Sequence, residues 1–281
     1  MIAICPNPYR DIDCSLSLKA VDVFKSIGKE ACICPVFAEV GDEILPKHLE
    51  FCSLRDVQDQ CELIVVIGGD GTILNVARQV QEMPIPILGV NLGTKGFMAN
   101  IEPDELSHLI DAAKGKYKIS RRMMLDVSYI RNGEVIYTDH ALNDVVIHGC
   151  GDCININALC NGNHLTAFSG DGLIISTPTG STGYSMSAGG PIVEPDAENL
   201  IISPICAHSM SARTFVLGPN AVISVDAHKL HDRRANLSVD GYTVMDIANG
   251  DTILVKRSDS CTLMADLGLR NFYEFTFEKL R

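Results

Sequence analysis

Leu63-Ile64-Val65-Val66-Ile67-Gly68-Gly69-Asp70-Gly71-Thr72 joins an unbroken apolar run to a glycine-rich turn. Such a run suits a parallel strand covered on both faces. From Thr72 to Gln81 the pattern reads as a helix. A strand that ends in glycines and passes into a helix is the corner of an open α/β sheet, where ligands bind at the carboxyl ends of strands. Glycines remove side chains there, so a phosphate can reach backbone N–H groups. Asp70 is unexpected in a pure phosphate cradle, because its charge repels an anion. It either caps the helix or accepts a proton from an attacking hydroxyl, and the loop by itself leaves both readings open.

Outward from this corner the same alternation continues. Ile2 to Cys5 reads as a short buried strand, Leu16 to Lys29 as a helix stopped near Gly28, and Ala31 to Phe37 as a strand. Ile85 to Val90 is the next strand, and Asp104 to Lys114 a helix introduced by Pro103. Beyond Arg121 the segments become short, alternating and rich in Val, Ile and Thr. A hairpin is expected at Asn132-Gly133, with further turns at Asn161-Gly162-Asn163 and Asn249-Gly250-Asp251. One short helical stretch is expected between Ser181 and Ala188. The boundary falls near Lys116 to Ser120, giving an α/β domain over 1–118 and a mostly-β domain over 119–258, which a length of 281 residues accommodates.

The composition is that of a globular chain, 46% hydrophobic and 21% charged. A net charge of -12 repels phosphate backbones and anionic lipid at long range, so neither nucleic acid nor a membrane surface is the expected partner. A small anionic ligand remains compatible, because backbone N–H groups bind phosphate without net positive charge. No apolar run reaches the ~18–20 residues of a membrane span. Met1 to Cys5 is already strand-like, so no signal peptide is expected. The 11 cysteines, an odd number, fit a reducing cytoplasm better than a secreted disulfide framework.

Several common sites are absent. Gly28-Lys29 and Gly115-Lys116 are followed by Glu30 and Tyr117, so neither is a Walker A loop. Gly170-Asp171-Gly172 meets Ile175 where a dinucleotide fingerprint needs its third glycine. Asn91, Gly93 and Gly96 form a second turn that either faces the same crevice or is a plain loop, and Lys95 within it is either a phosphate cation or a solvated lysine. Asn143-Asp144 interrupts an apolar strand, as a pair reading sugar hydroxyls or as a turn. Ser169 to Pro191 gathers glycines and hydroxyls around Tyr184, whose ring suits stacking on a base. Cys150 and Cys153 form a lone C-x-x-C without a second ligand pair, so no metal site is expected.

Taken together, Gly68 to Thr72, Asn91 to Phe97, Asn143-Asp144, Gly170-Asp171-Gly172 and Thr177 to Pro191 resemble the NAD kinase family, in the family's order and over most of the chain. The first motif is shared with diacylglycerol-type lipid kinases and phosphofructokinases; the Thr-Pro-Thr-Gly-Ser-Thr stretch with the Asn-Asp pair is more specific. The resemblance implies a phosphofructokinase-like, Rossmann-like α/β domain completed by 259–281, and a sandwich-like β domain that binds NAD. It implies phosphorylation of the 2′-hydroxyl of the adenosine ribose of NAD, or of NADH, by ATP or another donor carried with Mg²⁺. It also implies a homodimer or homotetramer. Asp70 matches the catalytic aspartate. Gly71, Asn143, Asp144, Asp171, Thr182, Gly183, Tyr184, Ser185 and Ser187 fall in segments that bind the nucleotide, and Gly68, Gly69, Thr72, Asn91, Gly93 and Gly96 in the donor-phosphate loops. Ser169, Gly183 and Tyr242 depart from the residues common at their positions. The competing readings are a lipid kinase with the same loop and a dinucleotide-binding sensor without catalysis.

Overall fold

The computed structural model describes residues 1–37, 44–81, 83–93 and 96–281. The chain divides into two compact units, 1–121 with 262–281, and 122–261.

The first unit is built on a parallel sheet. β1 (Ile2–Pro6), β2 (Ala31–Ile33), β3 (Leu63–Gly68) and β4 (Ile87–Asn91) lie in the order β2-β1-β3-β4. Every residue of β1, β3 and β4 is buried, as their continuous apolar sequences require. One face of the sheet carries Ile2, Ile4, Ile33, Val65 and Ile67 and packs against Ala20, Val21 and Phe24 of the helix Ser15–Ser26. The Asp11 carboxylate anchors that helix, accepting the N–H of Leu16 at 2.8 Å and of Ser17 at 3.0 Å. β2 stops at Ile33 rather than Phe37, where Pro35 follows and offers no N–H to a ladder. The helix expected over 104–114 is a 3-10 turn, Leu106–His108, followed by the helix Leu109–Ala113.

The chain's last residues belong to this unit. Met264 pairs with Ile87 of β4 in parallel. Arg270 donates to the Asn100 carbonyl at 2.6 Å and to the Glu105 carboxylate at 2.9 Å. The helix Phe272–Lys279 is capped by Asn271, whose side chain accepts the Glu274 N–H at 2.8 Å. Its Phe275 ring meets Phe97 edge to face at 6.3 Å.

The second unit holds β5 (Lys118–Arg131, entering from the first), β6 (Glu134–Ala141), β7 (Asp144–Gly149), β8 (Ile154–Cys160), β9 (Asn163–Gly170) and β10 (Gly172–Ser176). It continues with β11 (Leu200–Ile205), β12 (Phe215–Leu217), β13 (Val222–His228), β14 (Ala235–Val239), β15 (Tyr242–Ile247) and β16 (Thr252–Asp266, leaving for the first). β6-β5-β16-β13-β8-β9 form one layer and β12-β11-β10-β7-β14-β15 the other. Leu125, Val145, Ile156, Ile175, Ile223, Leu237 and Ile253 from both layers fill one core, so the β half is a sandwich.

The Asn-Gly hairpins at 132–133 and 161–162 have both residues at positive φ, as a tight two-residue turn demands. Asp240-Gly241 makes a third of the same kind between β14 and β15. At Asn249-Gly250 only the glycine has positive φ, and that turn precedes β16.

Tyr129 is the largest side chain buried in full. Its hydroxyl donates to the Asp251 carboxylate and lies 3.0 Å from the Asp246 carbonyl. Arg131 grips the same carboxylate with Nε at 2.9 Å and Nη2 at 2.7 Å, and the Ala248 N–H adds a bond at 2.7 Å. Burial alone would raise the Asp251 pKa, but the Arg131, Tyr129 and Ala248 bonds outweigh it and hold the carboxyl down to about 2. The stabilisation from this depressed pKa is therefore present above about pH 4, the unfolded value, and is lost as pH falls through about 2. Tyr129→Phe is expected to lower the unfolding free energy by about 1–2 kcal/mol, read from urea denaturation at pH 7. The difference from wild type should shrink at pH 2.

Candidate active site

In the first unit, the site grows from the end of β3. Gly68 closes the strand, and a Cβ there would lie 2.4 Å from Thr72 Oγ1, so its bareness admits the first turn of the helix Asp70–Gln79. Gly69 occupies the cap position, and a Cβ at Gly69 or Gly71 would meet nothing within 4 Å. The Asp70 side chain turns away from its own helix. Its Oδ2 accepts the Phe97 N–H at 2.8 Å and its Oδ1 the Met98 N–H at 3.0 Å. The helix-cap reading of Asp70 gives way to this cross-link between the two glycine turns.

Gly96 makes the approach possible: a Cβ there would stand 3.1 Å from Asp70 Oδ1 and 3.2 Å from Asn91 Oδ1. Asn91 is buried and supports the second turn, its Oδ1 accepting the Gly93 N–H at 2.9 Å and its Nδ2 donating to Glu102 at 3.2 Å. Lys95 lies outside the described residues. Burial pushes the Asp70 pKa above the usual carboxylate range; the Phe97 and Met98 amides, and then the Lys279 charge, draw it back in part. The carboxylate is fixed in place and has raised proton affinity, which suits a group that receives a proton.

In the second unit, Asn143 stands between β6 and β7, and Asp144 opens β7 opposite Ser176 of β10. The Asp240 carboxylate, from the β14–β15 turn, accepts the backbone N–H of Leu142 at 2.8 Å, Asn143 at 2.7 Å and Asp144 at 3.1 Å. On the other side the Asn143 carbonyl accepts the Thr177 N–H at 2.9 Å, and Thr177 Oγ1 donates to the Leu142 carbonyl at 2.6 Å. A Cβ on Gly180 would lie 2.2 Å from the Asn143 carbonyl oxygen, so only glycine fits where the 3-10 turn Thr179–Thr182 crosses the pair. Asn143 Oδ1 and Thr179 Oγ1 are buried with no hydrogen-bond partner among the described residues. Buried polar atoms without a partner call for one, and a bound ligand can supply it. Asp144 is buried, and that burial together with the Asp240 charge pushes its carboxyl up to about 7.

The remaining residues divide. Gly183 lies beside Asn143, its Cβ position 3.6 Å from Asn143 Nδ2. Tyr184 opens the short helix Tyr184–Ser187 and is 40% exposed. Ser185 is buried and spent on Ser203 at 3.0 Å, whereas Ser187 is exposed. Thr182 Oγ1 donates to the Thr179 carbonyl at 3.3 Å. Asp171 and Asp144 stand at opposite ends of the β7–β10 pairing, and both charges act on Tyr184. Asp171 sits before the first residue of β10, while Ser176 and Thr177 lie at the strand's far end, about 16 Å away at ~3.3 Å per residue. Its carboxylate faces the Cys206 thiol and raises the pKa of that group. Ser169 is held by Asn155 at 2.6 Å, and Tyr242 is exposed at the start of β15. Cys153 faces His208 at 3.8 Å while Cys150 accepts from Asn236 at 3.4 Å, so the two thiols have different neighbours. All eleven cysteines are free, and among the described residues no group of three or more His, Cys, Asp or Glu is placed to hold a metal ion. Among those residues, too, no helix is long and apolar enough to cross a membrane.

A family model described as the ATP-NAD kinase N-terminal domain matches residues 47–116, and one described as the ATP-NAD kinase C-terminal domain matches 142–266. The NAD kinase of Geotalea daltonii is 40% identical over 244 residues, covering 84% of this chain and 85% of that protein. The NAD kinase of Acetivibrio thermocellus is 36% identical over 277 residues, covering 97% and 94%. Among solved structures, yeast NADH kinase complexed with NADH superposes with a TM-score of 0.83 at 24% identity, over 99% of this chain and 85% of that one. An NAD kinase from Archaeoglobus fulgidus in complex with ATP gives 0.75 at 24% identity, over 100% and 99%. These two establish the likeness of fold. With the similarity to the curated relatives extending over most of both chains, this chain belongs to the NAD kinase family.

Proposed function

We propose that the chain transfers the terminal phosphoryl group of ATP to the 2′-hydroxyl of the adenosine ribose of NAD, giving NADP and ADP. The observation that carries this reading is the Asp70 carboxylate, partly desolvated and pinned by two backbone amides at a glycine turn, in a member of the NAD kinase family. The curated relatives named NAD kinase and the solved kinase bound to NADH support a nicotinamide dinucleotide as acceptor; the solved kinase bound to ATP supports the donor. The lipid-kinase and sensor readings draw no support from these relatives.

Phosphoryl transfer depends on positioning and charge stabilisation more than on covalent chemistry. The 2′-oxygen attacks the γ-phosphorus in line. A new O–P bond forms as the bond from that phosphorus to the β,γ-bridging oxygen breaks, and ADP leaves with the bond's electrons. Asp70 orients the hydroxyl and takes its proton, late in a loose transition state. Asn143 and Asp144 hold the ribose hydroxyls, Asn143 with its unpaired Oδ1 and Asp144 as an acceptor. The Tyr184 ring stacks on the adenine, with Thr182, Gly183, Ser185 and Ser187 shaping that segment, and Asp171 binds the nucleotide separately. The glycine turns at 68–72 and 91–96 receive the donor phosphates through backbone N–H groups. Mg²⁺ enters with the triphosphate as part of that substrate. The protein works in the cytoplasm as a homodimer or homotetramer, on either NAD or NADH.

Wild-type protein is expected to form NADP from NAD, ATP and Mg²⁺, and Asp70→Asn to lose about 10²–10⁴ of the rate. The asparagine oxygen keeps the Met98 N–H while its NH2 takes the place of Oδ2 against the Phe97 N–H, so the circular dichroism spectrum should stay that of wild type with a thermal midpoint lowered by a few degrees. Turnover near wild type in that variant would remove Asp70 from its role.

Asp144 gives a pH signature. Its carboxyl titrates near 7 in the folded chain, so the apparent KM for NAD should rise as pH falls below 7, and Asp144→Asn should flatten that dependence. Because this pKa is raised on folding, the stability it contributes is complete below about pH 4 and is lost as pH rises through 7. Asp144→Asn should therefore raise the thermal midpoint more at pH 8 than at pH 5, as scanning calorimetry would record.

A further inference from the structure

We propose that Arg10 binds the phosphate chain of the donor, an inference that rests on the kinase reading above and adds a residue to it. Asn7 to Arg10 form a turn just past β1, fastened to the glycine corner. The Asn7 N–H donates to the Ile67 carbonyl at 2.8 Å, and Asn7 Nδ2 donates to Thr72 Oγ1 at 3.2 Å. Asn7 Oδ1 accepts the Tyr9 N–H at 3.0 Å and the Asn7 carbonyl accepts the Arg10 N–H at 3.0 Å, which closes the turn on itself. The turn brings the Arg10 side chain to the second glycine turn, where Nη1 donates to the Leu92 carbonyl at 2.8 Å. That nitrogen is 3.8 Å from the place a Cβ would take on Gly93, and the same place is 3.9 Å from Gly69 Cα. The guanidinium thus borders both glycine turns.

Among the described residues its charge is not matched by an acid: no carboxylate lies within 4.0 Å of Arg10. The adjacent Asp11 is buried and committed to the N–H groups of Leu16 and Ser17 and to the Ser17 hydroxyl. Lys279, whose charge reaches Asp70, is matched by Glu102 at 3.9 Å and packed over Phe275. Arg10 is exposed, and its guanidinium carries five donors, of which one serves Leu92. A planar fork with free donors, held on a fixed turn, matches a phosphate oxygen pair. In a chain of net charge -12, a polyanion brought up to the Asp70 carboxylate needs such a cation beside it. The ligand class is the triphosphate, not the acceptor.

The test separates phosphate binding from a merely structural hold on Leu92. Glutamine at position 10 keeps an N–H donor for the Leu92 carbonyl but loses the charge; lysine keeps the charge but loses the fork. With NAD saturating, Arg10→Gln is expected to raise KM for Mg-ATP about 10–100-fold, with KM for NAD and the thermal midpoint within about twofold and ~2 °C of wild type. Arg10→Lys should recover part of the loss. Calorimetric titration with inorganic tripolyphosphate should show the same weakening in Arg10→Gln without requiring turnover. An unchanged KM for ATP and unchanged tripolyphosphate binding in Arg10→Gln would overturn the proposal, as would equal rises in both KM values with a lowered thermal midpoint. Should wild type form no NADP, the kinase reading fails, and the tripolyphosphate titration still decides the role of Arg10.

Discussion

Both halves of this protein hold an inward-facing aspartate by backbone N–H groups from a distant segment, at Asp70 and at Asp240, and Asp11 is held by nearer amides in the same way. Asp70 takes the amides of Phe97 and Met98; Asp240 takes those of Leu142, Asn143 and Asp144; Asp11 takes those of Leu16 and Ser17. Even Asp251, which has an arginine, adds the Ala248 N–H. With 35 acidic residues against 23 lysines and arginines, side-chain cations cannot match every acid. Main-chain amides are the donors that every segment owns, and desolvated acids draw on them.

The two halves use this device to different ends. At Asp70 the amides fix the carboxylate while burial raises its proton affinity, so position and reactivity come from the same arrangement. At Asp240 the fixed charge lies next to Asp144 and raises that carboxyl to about 7. One aspartate is thereby a strut and its neighbour a titrating group, and only their environments distinguish them. Gly96 and Gly180 serve both arrangements in the same manner, by being small where a backbone must pass a carboxylate or a carbonyl.

What could be read in the sequence follows from what leaves a local trace. The apolar run of β3, the glycine corner after it and the Asn-Gly hairpins are local in origin, and they stand where the residues indicate. The Asp-Gly turn at 240–241 carried a similar signal, yet its importance lies in amides about a hundred residues earlier. The hold of Phe97 and Met98 on Asp70 left no trace, because a backbone N–H has no residue identity. Asp171 is near Ser176 in sequence, but a five-residue strand carries it to the other end of β10, while Tyr184 feels the charge of both Asp171 and Asp144. The early end of β2 was legible at Pro35, whereas the 3-10 turn at Leu106–His108 rests on backbone detail that periodicity does not record.

The discontinuity of the first unit has a bearing on how the chain acquires its structure. Residues 122–261 form an uninterrupted unit, whereas β4 waits for Met264, and Asn100 and Glu105 wait for Arg270. Contacts across such a separation close large loops and form slowly. During vectorial synthesis the sandwich is complete in the chain before the C-terminal partners of β4 and Phe97 exist. The α/β unit must therefore persist for that interval with β4 paired to Ile101 but not yet to Met264 at Ile87, and with the Phe97 ring unpacked, so it is this half, made first, that matures last.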